Sequence, residues 1–161
     1  MMAFVFSDSH GDRLGLRQLI EAGWERYGLP THYLHCGDGA GDLQAAIPLI
    51  RMRHEDYQMM QVRGNCDFHF SLQEDAELSI NGCRIYMTHG HHYGVKSSLY
   101  LLDEAARERQ CSIALFGHTH QPTMEMRSVL MLNPGAAQDG RMLALEITDE
   151  GKPRVHMINI R

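Results

Sequence analysis

The sequence predicts an α/β sandwich, mixed sheets with helices packed outside. Three observations carry that prediction. Short apolar runs alternate with helix-period segments over roughly the first third of the chain, hairpin signals follow, and five apolar runs break off into polar clusters. Sites in open α/β sheets form beyond the carboxyl ends of strands, so such clusters can meet in space across a long separation in sequence.

Ala3 to Ser7 reads as the first strand, an apolar run ending in polar residues. Asp12 can cap a helix whose Leu14, Leu16, Leu19, Ile20 and Trp24 share a face, ending near Gly28-Leu29-Pro30. His32 to Cys36 is the second strand, followed by the loop Gly37-Asp38-Gly39-Ala40-Gly41. A second helix is expected over Asp42 to Ile50, with Pro48 weakening its last turn. Tyr57 to Val62 is the third strand, closed by Arg63-Gly64-Asn65. Glu77 to Ile80 and Cys83 to Thr88 flank Asn81-Gly82, the strongest short hairpin signal. Ser98 to Arg109 forms a helix with Leu99, Leu102, Ala105 and Ala106 on one side. Ser112 to Phe116 is a strand before Gly117-His118-Thr119-His120, and further strands are expected near 123–131, 141–148 and 153–160.

Length and composition narrow the function. The 161 residues suit one domain, 1–161, with 43% hydrophobic and 22% charged residues. A net charge of -5 argues against a nucleic-acid polymer as partner, since a basic footprint is missing. Cys36, Cys66, Cys83 and Cys111 form no C-x-x-C pair and read as reduced thiols in a cytoplasmic protein. The start, Met-Met-Ala-Phe-Val-Phe-Ser-Asp, turns acidic too soon for a signal peptide, and no run is long enough to span a membrane.

Histidine is the outlying figure, at 11 residues, six of them in three short clusters: His10, then His89, His91 and His92, then His118 and His120. With Asp8, Asp38 and Asn65 they make a set of carboxylates, one amide and imidazoles, each following an apolar strand. Asp8 and His10 can bind one ion together; His118 and His120 can share an ion or divide between two. Mixed nitrogen and oxygen ligands suit Mn²⁺, Fe²⁺ or Zn²⁺ better than Ca²⁺.

The ordered series D-x-H-G, G-D, G-N, H-G-H and G-H-T-H resembles the calcineurin-like metallophosphoesterases, and within them the small YfcE-type phosphodiesterases. The likeness runs from Asp8 to Asn133-Pro134-Gly135. It implies a four-layer α-β-β-α sandwich and a pair of divalent cations, Mn²⁺ preferred, with Fe, Zn, Co or Ni compatible. Asp8, His10 and His120 would bind the first ion, Asn65, His89 and His118 the second, with Asp38 bridging. Two cations, two carboxylates and a bridging hydroxide leave a net charge of about +1, enough to attract a phosphate to an acidic protein. Asn65 in place of a third carboxylate preserves that charge. The implied reaction is direct in-line attack by that hydroxide, with no phospho-enzyme.

Two departures sharpen the reading. Many relatives carry His after the Asn, where it helps protonate the leaving group; here the residue is Cys66, a poor general acid, and His91 is the alternative. G-D-x-x-D-R-G, found in protein phosphatases, is replaced by Gly37-Asp38-Gly39-Ala40-Gly41-Asp42-Leu43. Small phosphodiesters with good leaving groups are therefore the expected substrates, with Asp38, Asn65 and His91 as catalytic residues. The alternative is a non-enzymatic scaffold of the same fold, as in the Vps29-like relatives, whose ligand histidines are lost. A homodimer accords with the resemblance alone. His35 is expected to support the site or the packing, Cys36 to be buried, and His54 and His156 to lie at the surface. Gly64 and Gly117 are expected to let strand ends bend, and the loop 133–135 to touch substrate.

Overall fold

Side chains along β1 (Met2–Phe6) alternate between two apolar layers, Ala3 and Val5 into one, Phe4 and Phe6 into the other. The whole architecture follows from that alternation. This computed structural model describes residues 1–68 and 71–161. Beyond β1 come α1 (Arg13–Tyr27), β2 (His32–His35), α2 (Ala40–Ala45), α3 (Ile47–Arg51) and β3 (Gln58–Gln61). Then follow β4 (Asp75–Ile80), β5 (Cys83–Thr88), α4 (Tyr100–Glu108), β6 (Ile113–Leu115), β7 (Thr123–Met126), β8 (Leu130–Asn133), β9 (Arg141–Ile147) and β10 (Pro153–Asn159).

The strands form two five-stranded sheets, ordered β10-β9-β1-β2-β3 and β4-β5-β6-β8-β7. Val5, Leu34 and Leu143 of the first sheet meet Ile85, Met87, Leu115 and Leu132 of the second in the central core. Phe4, Phe6 and Tyr33 turn outward onto Leu16, Leu19 and Ile20 of α1 and Leu43 of α2. Tyr86, Ala114 and Met131 turn the other way onto Leu102 and Ala106 of α4. Three apolar layers between four structural layers make an α-β-β-α sandwich of mixed sheets.

Several elements differ from expectation in instructive ways. The helix expected over 42–50 is two short helices broken at Ala46, with Pro48 in the first turn of the second, where its missing N–H costs nothing. The strand expected over 123–131 is a hairpin, β7 and β8, closed by Arg127 N–H donating to Val129 O at 3.0 Å. Leu14 faces solvent, off the α1 face that buries Leu16, Leu19 and Ile20. Asp12 does cap α1, accepting from Gly15 N–H at 2.9 Å. Asn81 and Gly82 take φ of 48° and 77°, the left-handed pair that a tight hairpin needs, and register pairs Ile80 with Cys83. His54 is half-buried, its Nε2 2.9 Å from the Tyr33 hydroxyl, so it is part of the outer packing.

Strands β1, β2 and β3 run parallel, as do β5, β6 and β8. Their carboxyl ends share one rim.

Candidate metal centre

Every residue of the predicted set lies on that rim. His10 Nε2 stands 3.2 Å from His120 Nε2 and 3.6 Å from Asp8 Oδ1, and His120 Nε2 is 3.1 Å from the same oxygen. His89 Nε2 lies 3.3 Å from Asp38 Oδ2 and 3.0 Å from Asn65 Oδ1. The donor atoms of Asp8, His10 and His120 fall within 4.8 Å of one another, and so do those of Asp38, His89 and His118. His10 Nε2 is 4.0 Å from Asp38 Oδ2, so Asp38 lies between the groups.

The backbone is bent to produce this arrangement. Among the described residues, seven other than glycine have φ in the left-handed region, and five of them are Asp8, His10, Asp38, His118 and His120. Such a conformation costs of order 1 kcal/mol or more per residue and persists only where surrounding contacts hold it. The remaining two, Asn81 and Gln110, sit at a hairpin turn and just after α4. Strain concentrated on the ligand set is the mark of a site whose side-chain directions are imposed.

Hydrogen bonds hold the loops. Asp8 Oδ2 accepts from Ser7 Oγ at 2.6 Å and from His118 N–H at 3.1 Å. Its Oδ1 is buried with no hydrogen-bond partner. His89 Nδ1 donates to Cys36 O at 2.7 Å, which turns Nε2 towards Asp38. Asp67 accepts four amide N–H bonds: Oδ2 from Asp38 and Gly64, Oδ1 from Gly39 and Ala40. Asp42 Oδ2 takes Ser9 Oγ and Gly11 N–H, and His35 Nε2 stands 3.1 Å from the same Ser9 hydroxyl. Sequence reasoning assigned Asp42 and Asp67 no role, although Asp42 lies in a quoted motif and Asp67 directly follows Cys66. Their signal is an acidic residue amid glycine-rich loops full of unpaired amides.

One expectation needs correcting. Gly64 and Gly117 are not required by a left-handed backbone, since neither has a φ in that region. They are small because a Cβ at Gly64 would overlap Asp38 Oδ1, and one at Gly117 would overlap Ser7 Oγ. Asn133 is fully buried: its amide donates to Gly117 O at 2.9 Å and Thr119 Oγ1 at 3.1 Å, and accepts from Gly135 N–H. It holds the G-H-T-H loop.

Electrostatics test the fit of a cation. Asp8 and Asp38 are almost wholly buried, yet their ion-pair partners among the described residues are imidazoles alone. Burial lifts the Asp38 carboxyl, but hydrogen bonding and charge from His89 and the amide of Cys66 outweigh it and hold it below the usual carboxylate range. Burial, then repulsion from His89, pushes His118 down to about 4, so its imidazole is neutral at physiological pH and free to ligate. A buried carboxylate oxygen without a hydrogen bond, paired anions without Lys or Arg, and a neutral His118 imidazole fit divalent cations.

Cys36 is buried, its thiol pushed up by burial, and is no nucleophile. Cys66 is exposed beside His10 and Asp38; burial and then the Asp38 carboxylate raise its thiol, which stays protonated. His91 sits behind the ligands, its ring 5.4 Å from that of His89 and 6.1 Å from that of His118. A shallow depression of about 230 Å³ opens alongside, with His10, Arg13, Cys66 and Phe68 on its walls.

Comparison with known proteins settles the family. The sequence matches the calcineurin-like phosphoesterase superfamily domain over residues 1–148. The chain belongs to that superfamily. It is 31% identical over 147 residues to the probable metallophosphoesterase YsnB of Bacillus subtilis, covering 91% of this chain and 80% of that one. It is 28% identical over 95 residues to the phosphodiesterase YfcE of Escherichia coli K12, covering 53% of this chain and 48% of that protein. Vps29 of Entamoeba histolytica, solved in complex with Zn²⁺, shares the fold at 20% identity, with a TM-score of 0.72 over 98% of each chain. The superfamily accounts for hydrolysis of phosphoester bonds, and among the described residues no helix is long and apolar enough to cross a membrane.

Proposed function

We propose that this phosphoesterase is a phosphodiesterase for small diesters, working through a pair of divalent cations. The observation that carries the reading is the buried Asp8 Oδ1, without a hydrogen bond and facing His10 and His120, beside the second group of Asp38, His89 and His118. Asp8, His10 and His120 would hold one ion, Asn65, His89 and His118 the other, and Asp38 both. Mn²⁺ is the preferred ion, with Fe, Zn, Co or Ni fitting the same donors. When bound, the cations supply charge to hold the phosphoryl group and acidity to activate the attacking water.

This chain's own residues do the rest. Asp38 sets the spacing of the two groups, and Asn65 offers an amide oxygen without adding negative charge. His91, whose ring stands 5.4 Å from that of His89, is assigned to protonate the leaving group, with Cys66 too weak an acid to do so. Arg13, on the wall of the depression, supplies a cation for a phosphoryl oxygen or a second substrate group. We place the enzyme in the cytoplasm, as a single domain that can pair as a homodimer.

The scaffold reading is tested by activity rather than metal content, because a Vps29 has itself been solved with Zn²⁺. Purified protein with Mn²⁺ is expected to hydrolyse an aryl phosphodiester. Asp38→Ala and His118→Ala are each expected to lose the metal-stimulated rate entirely. Full residual activity in either would sink the mechanism, and no activity in any metal would favour the scaffold.

A further inference from the structure

Beside the proposed pair of cations lies a second group of possible ligands, of which Glu74 and His92 have no part in the phosphoesterase reaction. Glu74, just before β4, faces His91 and His92 in the loop after β5. One donor atom from each falls within 4.8 Å of the other two. His92 Nε2 stands 2.8 Å from Glu74 Oε2, and the rings of His91 and His92 are 4.0 Å apart at a tilt of 39°. His91 Nδ1 is buried and has no hydrogen-bond partner. An imidazole nitrogen left bare in a buried setting costs free energy unless something outside the protein satisfies it. The other face of the cluster is open, with 55% of the His92 side chain and 37% of the Glu74 side chain exposed.

We infer that Glu74, His91 and His92 form a third divalent-cation site, distinct from the paired one and selective for Zn²⁺-like ions. Two imidazoles and one carboxylate are a three-ligand zinc set, leaving a fourth tetrahedral position for water. Ligands about 2.1 Å from a tetrahedral zinc lie ~3.4 Å apart, inside the spread these donors already have. Arg63 pairs with Glu74 Oε1, which anchors the carboxylate and leaves Oε2 for the ion. A cation on one nitrogen of His91 also fixes the ring proton on the other, so this site would set the tautomer of a residue beside the paired centre.

The test is zinc stoichiometry of the full-length protein, by isothermal titration and by metal analysis after desalting. Wild type is expected to take roughly three equivalents, and Glu74→Gln and His92→Ala roughly two each. His118→Ala should lose zinc from the paired centre while keeping the equivalent that Glu74→Gln removes. Equal stoichiometry in wild type and both Glu74→Gln and His92→Ala would overturn the third site, whatever the number. A loss in His118→Ala alone would uphold the paired centre and reject this one. Circular dichroism of the two exposed-residue variants checks that they are folded.

Discussion

The loops after β1, β2 and β3 bring Asp8, His10, Asp38 and Asn65 to the rim, whereas those after β5 and β6 bring imidazoles alone, His89, His118 and His120. Their supports differ in the same sense. On the first side Asp67 and Asp42 gather amide N–H groups from loops distant in sequence, and His35 backs the Ser9 hydroxyl. On the second side, apart from His118 N–H donating to Asp8 Oδ2, the ties are neutral: Gly117 N–H donates to His89 O at 3.1 Å, and Asn133 holds Gly117 and Thr119. Charge-assisted hydrogen bonds are roughly twice as strong as neutral ones. The carboxylate side is therefore the stiffer half before any cation binds, and the imidazole side is the half a cation must draw in.

Asp67→Asn breaks the stiff half with little change of shape. Each carboxylate oxygen now accepts two amides, and the NH₂ of asparagine would face two donors with a donor. About 2–3 kcal/mol should be lost where the loops after β2 and β3 meet. Turnover of an aryl diester is expected to fall about 100-fold, at the upper end for residues that orient metal ligands. Steady-state kinetics at saturating Mn²⁺ checks it, and a loss under threefold would remove Asp67 from the supporting frame.

How much of this was legible in the sequence depends on the range of the interaction. The β1 alternation, the Asn81-Gly82 hairpin and the Asp12 cap are local, and each follows from residues a few positions apart. The convergence of the predicted set on one rim was legible because each polar cluster breaks directly from an apolar strand. Asp67 was not, because Asp38 and Gly39, which it holds, lie 29 and 28 residues away. Gly64 and Gly117 misled for the same reason, since what demands their smallness is Asp38 and Ser7 from other strands. The β7–β8 turn was hidden because Met124, Met126, Leu130 and Leu132 keep one apolar rhythm through it.

Asn133→Ala is the matching cut on the neutral side. It removes the amide from Gly117 O and Thr119 Oγ1, at about 1 kcal/mol net for such bonds. The G-H-T-H loop should loosen, and activity should fall about tenfold, mostly through weaker Mn²⁺ binding and hence recoverable at higher metal. A loss equal to that of Asp67→Asn, and not recovered by metal, would end the distinction between the two halves.

Acid separates the halves with the smallest effect. His35 is wholly buried on the carboxylate side, where burial first, opposed by Asp67, Asp8 and Asp42, brings it down to about 4. Its Nδ1 accepts from Gly37 N–H at 3.2 Å, so the neutral ring is the one the fold uses. The unfolded chain holds a proton on His35 below about 6.5, while the folded protein does not until about 4. Between those values the unfolded state binds the extra proton, so stability falls as pH falls. The contribution is complete above about pH 6.5 and is lost at about 1.4 kcal/mol per unit on the way down. Urea unfolding of metal-free protein at pH 6.5 and 5.5 should therefore show wild type losing about 1 kcal/mol more than His35→Asn. His118 titrates in the same window, and subtracting the variant from wild type cancels it. Parallel losses in the two proteins would mean that the His35 proton is not linked to folding, and that acid does not single out the carboxylate half.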